Sequence, residues 1–187
     1  LASSNLAAMM LGALTVFWYN GVYTPLKRVT AFAAVPGGVV GAIPPVIGWV
    51  AGGGSPADPR ILAVAVFFFM WQVPHFWLLL LSTADDDYER AGMPSLTRLF
   101  SFDQVARISF MWIFGAAIVC LAIPLFGIIR AGWVNFGLIA AGVWLVWRST
   151  RILKSANGVP AFRCAFNQVN AYALLVVSLL AIAAMLA

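Results

Sequence analysis

The chain has 187 residues, of which 63% are hydrophobic and 9% are charged, and its formal net charge is +5. A soluble domain carries about 25% charged residues, so this composition excludes a soluble fold and predicts a protein embedded in a lipid bilayer. The apolar runs are continuous rather than alternating, which favours membrane-spanning helices over the strands of a barrel. We therefore expect an all-α polytopic integral membrane protein.

Six apolar runs are long enough for transmembrane helices, because a hydrocarbon core of about 30 Å needs roughly 20 residues per helix. These runs lie near residues 4–23, 31–51, 60–81, 105–127, 132–148 and 164–186. The connecting segments are short except for 82–104, and no soluble domain is inserted. We expect a single transmembrane domain over residues 1–187.

The basic residues between the spans indicate the orientation of the protein in the membrane. The second and fourth connections hold only Arg60 and Arg130. The first, third and fifth hold Lys27, Arg28, Arg90, Arg98, Arg107, Arg148, Arg151, Lys154 and Arg163. Cytoplasmic connections are enriched in Lys and Arg, so we place these three connections in the cytoplasm. Topology explains the positive charge, and nucleic acid is not predicted as a partner.

The first span ends in a tyrosine and two cations on the cytoplasmic side. In the stretch YTPLKR, Tyr23 and Lys27 are four residues apart, a spacing that places them on one helix face, and Arg28 adds a second cation. Together these groups could clamp an anionic head group such as a diphosphate. The alternative is that the two cations only anchor the helix end at the membrane interface.

The second span, PGGVVGAIPPVIGW, combines small residues with two consecutive prolines. Gly37 and Gly41 have the GxxxG spacing that favours close helix packing. Pro44 and Pro45 in mid-span predict a bend beside a cavity, with plain helix packing as the alternative.

The third span contains the one histidine of the chain, in the stretch WQVPHF. Pro74 predicts a kink in the helix, because proline lacks the N–H group that would bond to the carbonyl of Met70. On a helical projection Gln72 and His75 lie about 60° apart, and Asp86 lies about 20° from His75 if the helix continues. This stripe predicts a pocket with a polar mouth and a long apolar body. The alternative is a histidine that forms a hydrogen bond between helices for packing.

Four of the six acidic residues follow directly in STADDDYERAGMP: Asp85, Asp86, Asp87 and Glu89. The partial negative charge at a helix C-terminus disfavours carboxylates there by roughly 0.3–1 kcal/mol each, and neighbouring carboxylates repel one another. A bound cation would relieve both effects. Mg²⁺ is the natural candidate, because it is often held by carboxylates together with substrate phosphates. The alternative is a solvated loop whose acids offset nearby arginines.

Four stretches carry a family resemblance: YTPLKRVT, GAIPPVIGW, MWQVPHFW and DDYERAGMP. In order and spacing they resemble the protoheme IX farnesyltransferase family (heme O synthases), a group of UbiA-type intramembrane prenyltransferases. The resemblance implies a UbiA-type helical bundle. It also implies transfer of a farnesyl group from farnesyl diphosphate to a vinyl group of heme B, which gives heme O. Heme O serves terminal oxidases directly or after conversion to heme A, so heme A synthase is an implied partner.

The resemblance also implies roles for individual residues. The aspartates match a segment that holds Mg²⁺ against the diphosphate, and the YTPLKR residues match positions beside that diphosphate. The predicted catalytic residues are Asp86, Asp87 and Lys27, the predicted metal ligands are Asp85, Asp86 and Asp87, and the predicted substrate contacts are Tyr23, Arg28, Gln72, His75 and Tyr88.

The family's first aspartate-rich segment is absent from this sequence. We therefore expect a fragment that matches the last six of nine helices, lacks the three N-terminal ones and is inactive alone. One alternative function is a UbiA-type prenyltransferase acting on a quinone precursor, against which MWQVPHF favours heme. Another is a non-catalytic transporter or assembly factor, which would place polar residues deep in several spans. The Ala- and Gly-rich composition favours a bacterial cytoplasmic membrane over the mitochondrial inner membrane.

Overall fold

The structure is a computed structural model and describes residues 2–83, 91–128, 132–154 and 159–186. In these ranges the chain is almost entirely helical, and six helices are long and apolar enough to cross a membrane. The prediction of an all-α polytopic membrane protein with six spans is confirmed.

The first three spans are formed by the helices that surround the candidate site. Helix α1 covers Ala2–Phe17 and continues through a π-helical segment, Trp18–Tyr23, and a last α turn, Thr24–Leu26. A 3₁₀ turn, Ala31–Ala33, leads into α2, Ala34–Ala51, and α3 covers Pro59–Thr83.

The remaining helices complete the bundle. A short helix α4, Leu96–Leu99, precedes α5, Phe102–Ala122, which ends in a 3₁₀ turn, Ile123–Phe126. Helix α6 covers Gly132–Ser149, the short α7 covers Arg151–Lys154, and α8 covers Val159–Met185. Helix α8 begins several residues before the predicted 164, because its first turn lies beyond the apolar run.

Helix α3 is the central element of the bundle. It packs against α2, α5 and α8, while α6 lies against α5 and α8, and α1 lies against α2. The largest buried cluster lies among α3, α5, α6 and α8 and includes Phe67, Ile113, Leu138 and Tyr172. The four helices around this core hold α3 in place, and the opposite side of α3 faces α2 and the two cavities described below.

The glycines of α2 allow close contact with neighbouring side chains. A Cβ atom added at Gly38 would lie 3.1 Å from the ring of Phe69 and 3.2 Å from its carbonyl oxygen. An added Cβ at Gly37 would lie 2.7 Å from the ring of Tyr23, and one at Gly41 would lie 2.6 Å from Oε1 of Gln72. The close packing predicted from the GxxxG spacing is confirmed, and two of its contacts are with predicted site residues.

The internal prolines lie within continuous helices. Helix α2 runs through Pro44 and Pro45, and α3 runs through Pro74. Since proline has no N–H group, each removes one helical hydrogen bond, which a membrane helix tolerates where its backbone is buried in protein or lines a cavity. Pro44 and Pro45 line the larger cavity of the structure, so the prediction that they lie beside a cavity is confirmed.

The π-helical segment Trp18–Tyr23 changes the direction of side chains at the end of α1. The backbone N–H of Thr24 and its Oγ1 both contact the carbonyl oxygen of Tyr19, the latter at 2.8 Å. Trp18 fixes this segment to α2, because its Nε1 donates a hydrogen bond of 2.8 Å to the carbonyl oxygen of Pro36. Single π turns of this kind are frequent at functional sites.

Candidate active site

A small cavity of about 190 Å³, the inner cavity, lies among the π segment, α2 and α3. By the orientation deduced from the basic residues, it occupies the cytoplasmic half of the bundle. It is lined by Tyr19, Tyr23, Ala34, Gly37, Val40, Gln72 and Phe76. It therefore contains two of the predicted substrate contacts, Tyr23 and Gln72.

Tyr23 is the side chain around which the inner cavity is built. It is 9% exposed, and its ring centroid lies 5.4 Å from that of Tyr19 and 6.1 Å from that of Phe76, in an edge-on contact. The Nζ atom of Lys27 lies 5.7 Å from the centroid of the Tyr23 ring. A cation at this distance is attracted by the ring, so the ring positions the ammonium group at the cytoplasmic end of the cavity.

The structure thus brings Tyr23 and Lys27 together, as their spacing predicts. Arg28 follows Lys27 at the helix end and is exposed. Two cations beside a buried aromatic ring form a site that can bind an anionic head group through charge-assisted hydrogen bonds.

A second and larger cavity, the outer cavity of about 670 Å³, lies between α2, α3 and α8. It is lined by Gly41, Pro44, Pro45, Trp49, Arg60, Ile61, Val64, Phe68, Trp71, Gln72, Ile128, Val177, Leu180 and Ala181. Most of these side chains are apolar, and Gln72 lines both cavities. The two cavities therefore meet at Gln72 along one side of α3, which agrees with the predicted pocket of polar mouth and apolar body.

The far end of the outer cavity carries an ion pair. Arg60 donates from Nε to both carboxylate oxygens of Asp58, at 3.0 and 3.1 Å, and from Nη2 to Oδ2 at 2.6 Å. The guanidinium group also lies 5.0 Å from the centroid of the Trp49 ring. The side-chain and backbone hydrogen bonds from Arg60 lower the pKa of Asp58, so this carboxylate stays ionised at neutral pH and keeps the guanidinium in place.

His75 occupies the interface between α3 and α8. Its Nδ1 lies 2.7 Å from Oδ1 of Asn170, and its ring lies between those of Trp71 and Phe166, with centroids 4.7 and 5.2 Å away. The Nε1 of Trp71 also donates to α8, at the carbonyl oxygen of Val169. His75 lines neither cavity. The structure thus supports the alternative of a histidine hydrogen-bonded between helices, and it separates His75 from Gln72.

The predicted metal ligands and one predicted substrate contact lie outside the described residues. Asp85, Asp86, Asp87 and Tyr88 follow shortly after Thr83, the last residue of α3. Among the residues that the structure does describe, no group of three or more His, Cys, Asp or Glu side chains could hold a metal ion. The Mg²⁺ site therefore stays a prediction.

Sequence reasoning did not identify several residues that shape the two cavities. Tyr19 lies four residues before Tyr23, a spacing that could have paired them. Asp58 directly before Pro59 is a typical start of a helix, which could have indicated that its side chain and that of Arg60 meet at the first turn of α3. Phe76 offered no such signal, because an apolar residue in an apolar span does not reveal which neighbour it contacts.

The six-helix bundle, the buried Tyr23 with its cation and the apolar cavity beside them define an intramembrane enzyme that binds an amphipathic substrate with a charged head. The sequence model described as "UbiA prenyltransferase family" matches residues 1–170. The chain belongs to the UbiA prenyltransferase family.

Within that family, the chain is similar to proteins of one name. It is 45% identical over 141 residues to the "Protoheme IX farnesyltransferase" of Geobacter sulfurreducens, covering 72% of this chain and 50% of the relative. It is 38% identical over 165 residues to that of Rhodopseudomonas palustris strain BisB5, covering 87% and 51%. For that of Gloeobacter violaceus the identity is 34% over 178 residues, covering 93% and 56%. The chain spans about half the length of these curated relatives. No solved structure matches it.

Proposed function

We propose that the full-length protein transfers a farnesyl group from farnesyl diphosphate to a vinyl group of heme B and so forms heme O. The observation that carries this proposal is the arrangement of the two cavities: Lys27 and Tyr23 lie at one end, and an apolar volume of about 670 Å³ continues from Gln72. A charged head and a long apolar body are the two parts of an isoprenoid diphosphate. The names of the relatives support farnesyl and heme as the donor and acceptor groups.

In the proposed reaction Lys27 and Arg28 bind the diphosphate through charge-assisted hydrogen bonds. The bond between the allylic carbon and the diphosphate oxygen breaks, and the bonding electrons leave with the diphosphate. A vinyl carbon of heme B then forms the new bond to the allylic carbon. Because the negative charge on the diphosphate grows during this step, fixed cations at its position stabilise the transition state more than the ground state.

Asp85, Asp86 and Asp87 are proposed to hold Mg²⁺ at the same head group. Their carboxylate oxygens are the ligand type that Mg²⁺ takes in proteins, and a bound Mg²⁺ neutralises developing charge on a phosphoryl oxygen. Helix α3 leads towards them from the inner cavity. Phe76, which contacts Tyr23, lies seven residues before Thr83, and this is about 10 Å along the helix axis at 1.5 Å per residue.

Two further roles are proposed for polar residues of the third span and its connection. Gln72 is proposed to contact the reacting ends of both substrates, because it lines both cavities, and Tyr88 is proposed to contact the diphosphate. The cytoplasmic membrane of a bacterium is the proposed location, and heme A synthase is a proposed user of the product.

The test uses the full-length protein, produced in a strain without its own heme farnesyltransferase, and identifies the product by mass spectrometry. We expect heme B to be converted to heme O. Lys27→Gln should lower kcat/KM for farnesyl diphosphate at least tenfold, because a fixed cation at the leaving group is lost. Lys154→Gln, which removes an exposed cation of α7 on the same membrane face, should leave the rate unchanged. A prenylated quinone precursor as the only product would instead establish the alternative acceptor.

A further inference from the structure

The outer cavity ends at a cation that has no counterpart on farnesyl diphosphate. That substrate carries its charge at one end, where Lys27 and Arg28 are proposed to bind it, and the rest of it is hydrocarbon. Arg60 nevertheless lines the opposite end of the cavity system. Twelve residues of α3 separate it from Gln72, which is about 18 Å along the helix axis at 1.5 Å per residue.

We propose that Arg60 recognises the carboxylates of the heme acceptor. In this arrangement the outer cavity holds the porphyrin with its propionate edge at Arg60 and a vinyl group directed towards Gln72. The inference rests on the proposed function, since it concerns the acceptor of that reaction. It goes further by assigning a residue, an orientation and a basis for selecting heme over acceptors that lack carboxylates.

The shape and chemistry of the outer cavity fit a flat apolar ring system. Its volume of about 670 Å³ lies within the range of roughly 300–1,000 Å³ that is usual for sites of organic ligands. Trp49, Phe68 and Trp71 supply aromatic surfaces, and Pro44 and Pro45 supply rigid apolar ones. Aromatic side chains pack favourably against the face or edge of another π system.

The surroundings of Arg60 leave it able to bind a second carboxylate. Asp58 is bound through Nε and Nη2 of Arg60, whose side chain remains 49% exposed. The N–H groups on Nη1 have no hydrogen-bond partner among the described residues. Asp58 and the ring of Trp49 together fix the orientation of the guanidinium plane. A planar guanidinium held in this way forms directional hydrogen bonds to carboxylates.

The distance between the two charged ends also favours heme over the isoprenoid as the occupant of this end. The vinyl and propionate groups of heme B lie on opposite edges of the macrocycle. With a vinyl group near the reacting carbon at Gln72, the carboxylates must therefore lie away from the cytoplasmic cations. Arg60 provides a positive charge on that side, at a separation comparable with the long dimension of a porphyrin with extended propionates.

The experiment compares heme B with its dimethyl ester, in which both carboxylates are blocked. Full-length wild-type protein in nanodiscs, Arg60→Gln and Arg60→Lys are titrated with each porphyrin, and binding is followed by the Soret band. We expect Arg60→Gln to weaken heme B binding about tenfold, the effect of losing one charge-assisted contact, and to leave ester binding unchanged. Arg60→Lys should give an intermediate value, because it keeps the charge and loses the planar fork.

Two further variants separate recognition from indirect effects. Asp58→Asn combined with Arg60→Gln removes the carboxylate that would otherwise stand unpaired at the cavity mouth, and it should still discriminate poorly between heme B and the ester. Arg151→Gln, at the opposite membrane face, should behave as wild type. Equal heme B binding by wild type and Arg60→Gln would overturn the proposal, as would an equal loss for heme B and the ester. Failure of the proposed function gives a different result, namely no heme O from the wild-type protein.

Discussion

Replacing Gly37 by alanine tests whether the position of Tyr23 controls the head-group site. The added Cβ would lie 2.7 Å from Cδ2 and 2.9 Å from Cε2 of the Tyr23 ring, distances at which the ring must move. Its movement is restricted, because Tyr19 and Phe76 contact the same ring. A displaced ring also displaces the Lys27 ammonium group that lies over it.

The expected magnitude follows from comparison with Gly48→Ala in the same helix, where no atom lies within 4 Å of the added Cβ. Both substitutions gain up to about 1 kcal/mol from the higher helix propensity of alanine. Only Gly37→Ala also incurs the cost of overpacking, about 1–3 kcal/mol. At about 2–4 °C per kcal/mol for a domain of this size, the melting temperature of Gly37→Ala should lie roughly 2–12 °C below that of Gly48→Ala.

The assay combines thermal unfolding of the purified full-length protein with steady-state kinetics. Gly37→Ala should raise KM for farnesyl diphosphate and leave KM for heme B near that of Gly48→Ala. Adding Tyr23→Leu to Gly37→Ala makes room for the new methyl group, so it should recover part of the lost stability without recovering activity. If Gly37→Ala and Gly48→Ala have the same melting temperature and the same kinetics, the reasoning about Tyr23 is refuted.

Three other predictions concern the metal site, the α3–α8 interface and the extent of the active unit. Asp86→Asn combined with Asp87→Asn should abolish Mg²⁺-dependent turnover of the full-length protein at unchanged membrane yield; activity that still responds to Mg²⁺ would remove the metal-site assignment. Asn170→Leu should lower the free energy of unfolding by about 0.6–1.7 kcal/mol, because His75 loses an interhelical hydrogen bond, and should leave heme O formation intact; loss of the heme spectrum at unchanged stability would make His75 a heme contact. Residues 1–187 expressed alone should make no heme O, since the sequence holds one aspartate-rich segment and spans about half the length of its relatives; heme O in a strain without its own enzyme would contradict this.

The six spans could be predicted from sequence because the bilayer fixes the length and polarity of each helix. The ends of the helices were less accessible, since hydropathy does not report capping. The fourth span was expected from residue 105, whereas its helix begins at Phe102 because Ser101 and Gln104 form a reciprocal capping box. The spacing Ser-x-x-Gln was a readable signal for this start.

The candidate site was predictable in part. Tyr23 and Lys27 share a helix face by spacing alone, and the structure brings them together. Gln72 and His75 were expected on one stripe, but the angle of about 60° between them is enough to direct them to different neighbours of α3. Gln72 lines the cavities and His75 contacts α8. Projection along one helix cannot supply the positions of the surrounding helices, and these decide what each side chain contacts.

The π-helical segment Trp18–Tyr23 makes the region sensitive to chain length rather than to side-chain identity. Removing one residue would allow the segment to close as an ordinary α-helix, which turns everything after it by about 100° relative to α1. Tyr23 and Lys27 would then leave the inner cavity, although the hydropathy of the span would hardly change. A one-residue deletion here would therefore yield a protein that inserts into the membrane normally and lacks its head-group site, whereas conservative replacements at exposed positions should be tolerated.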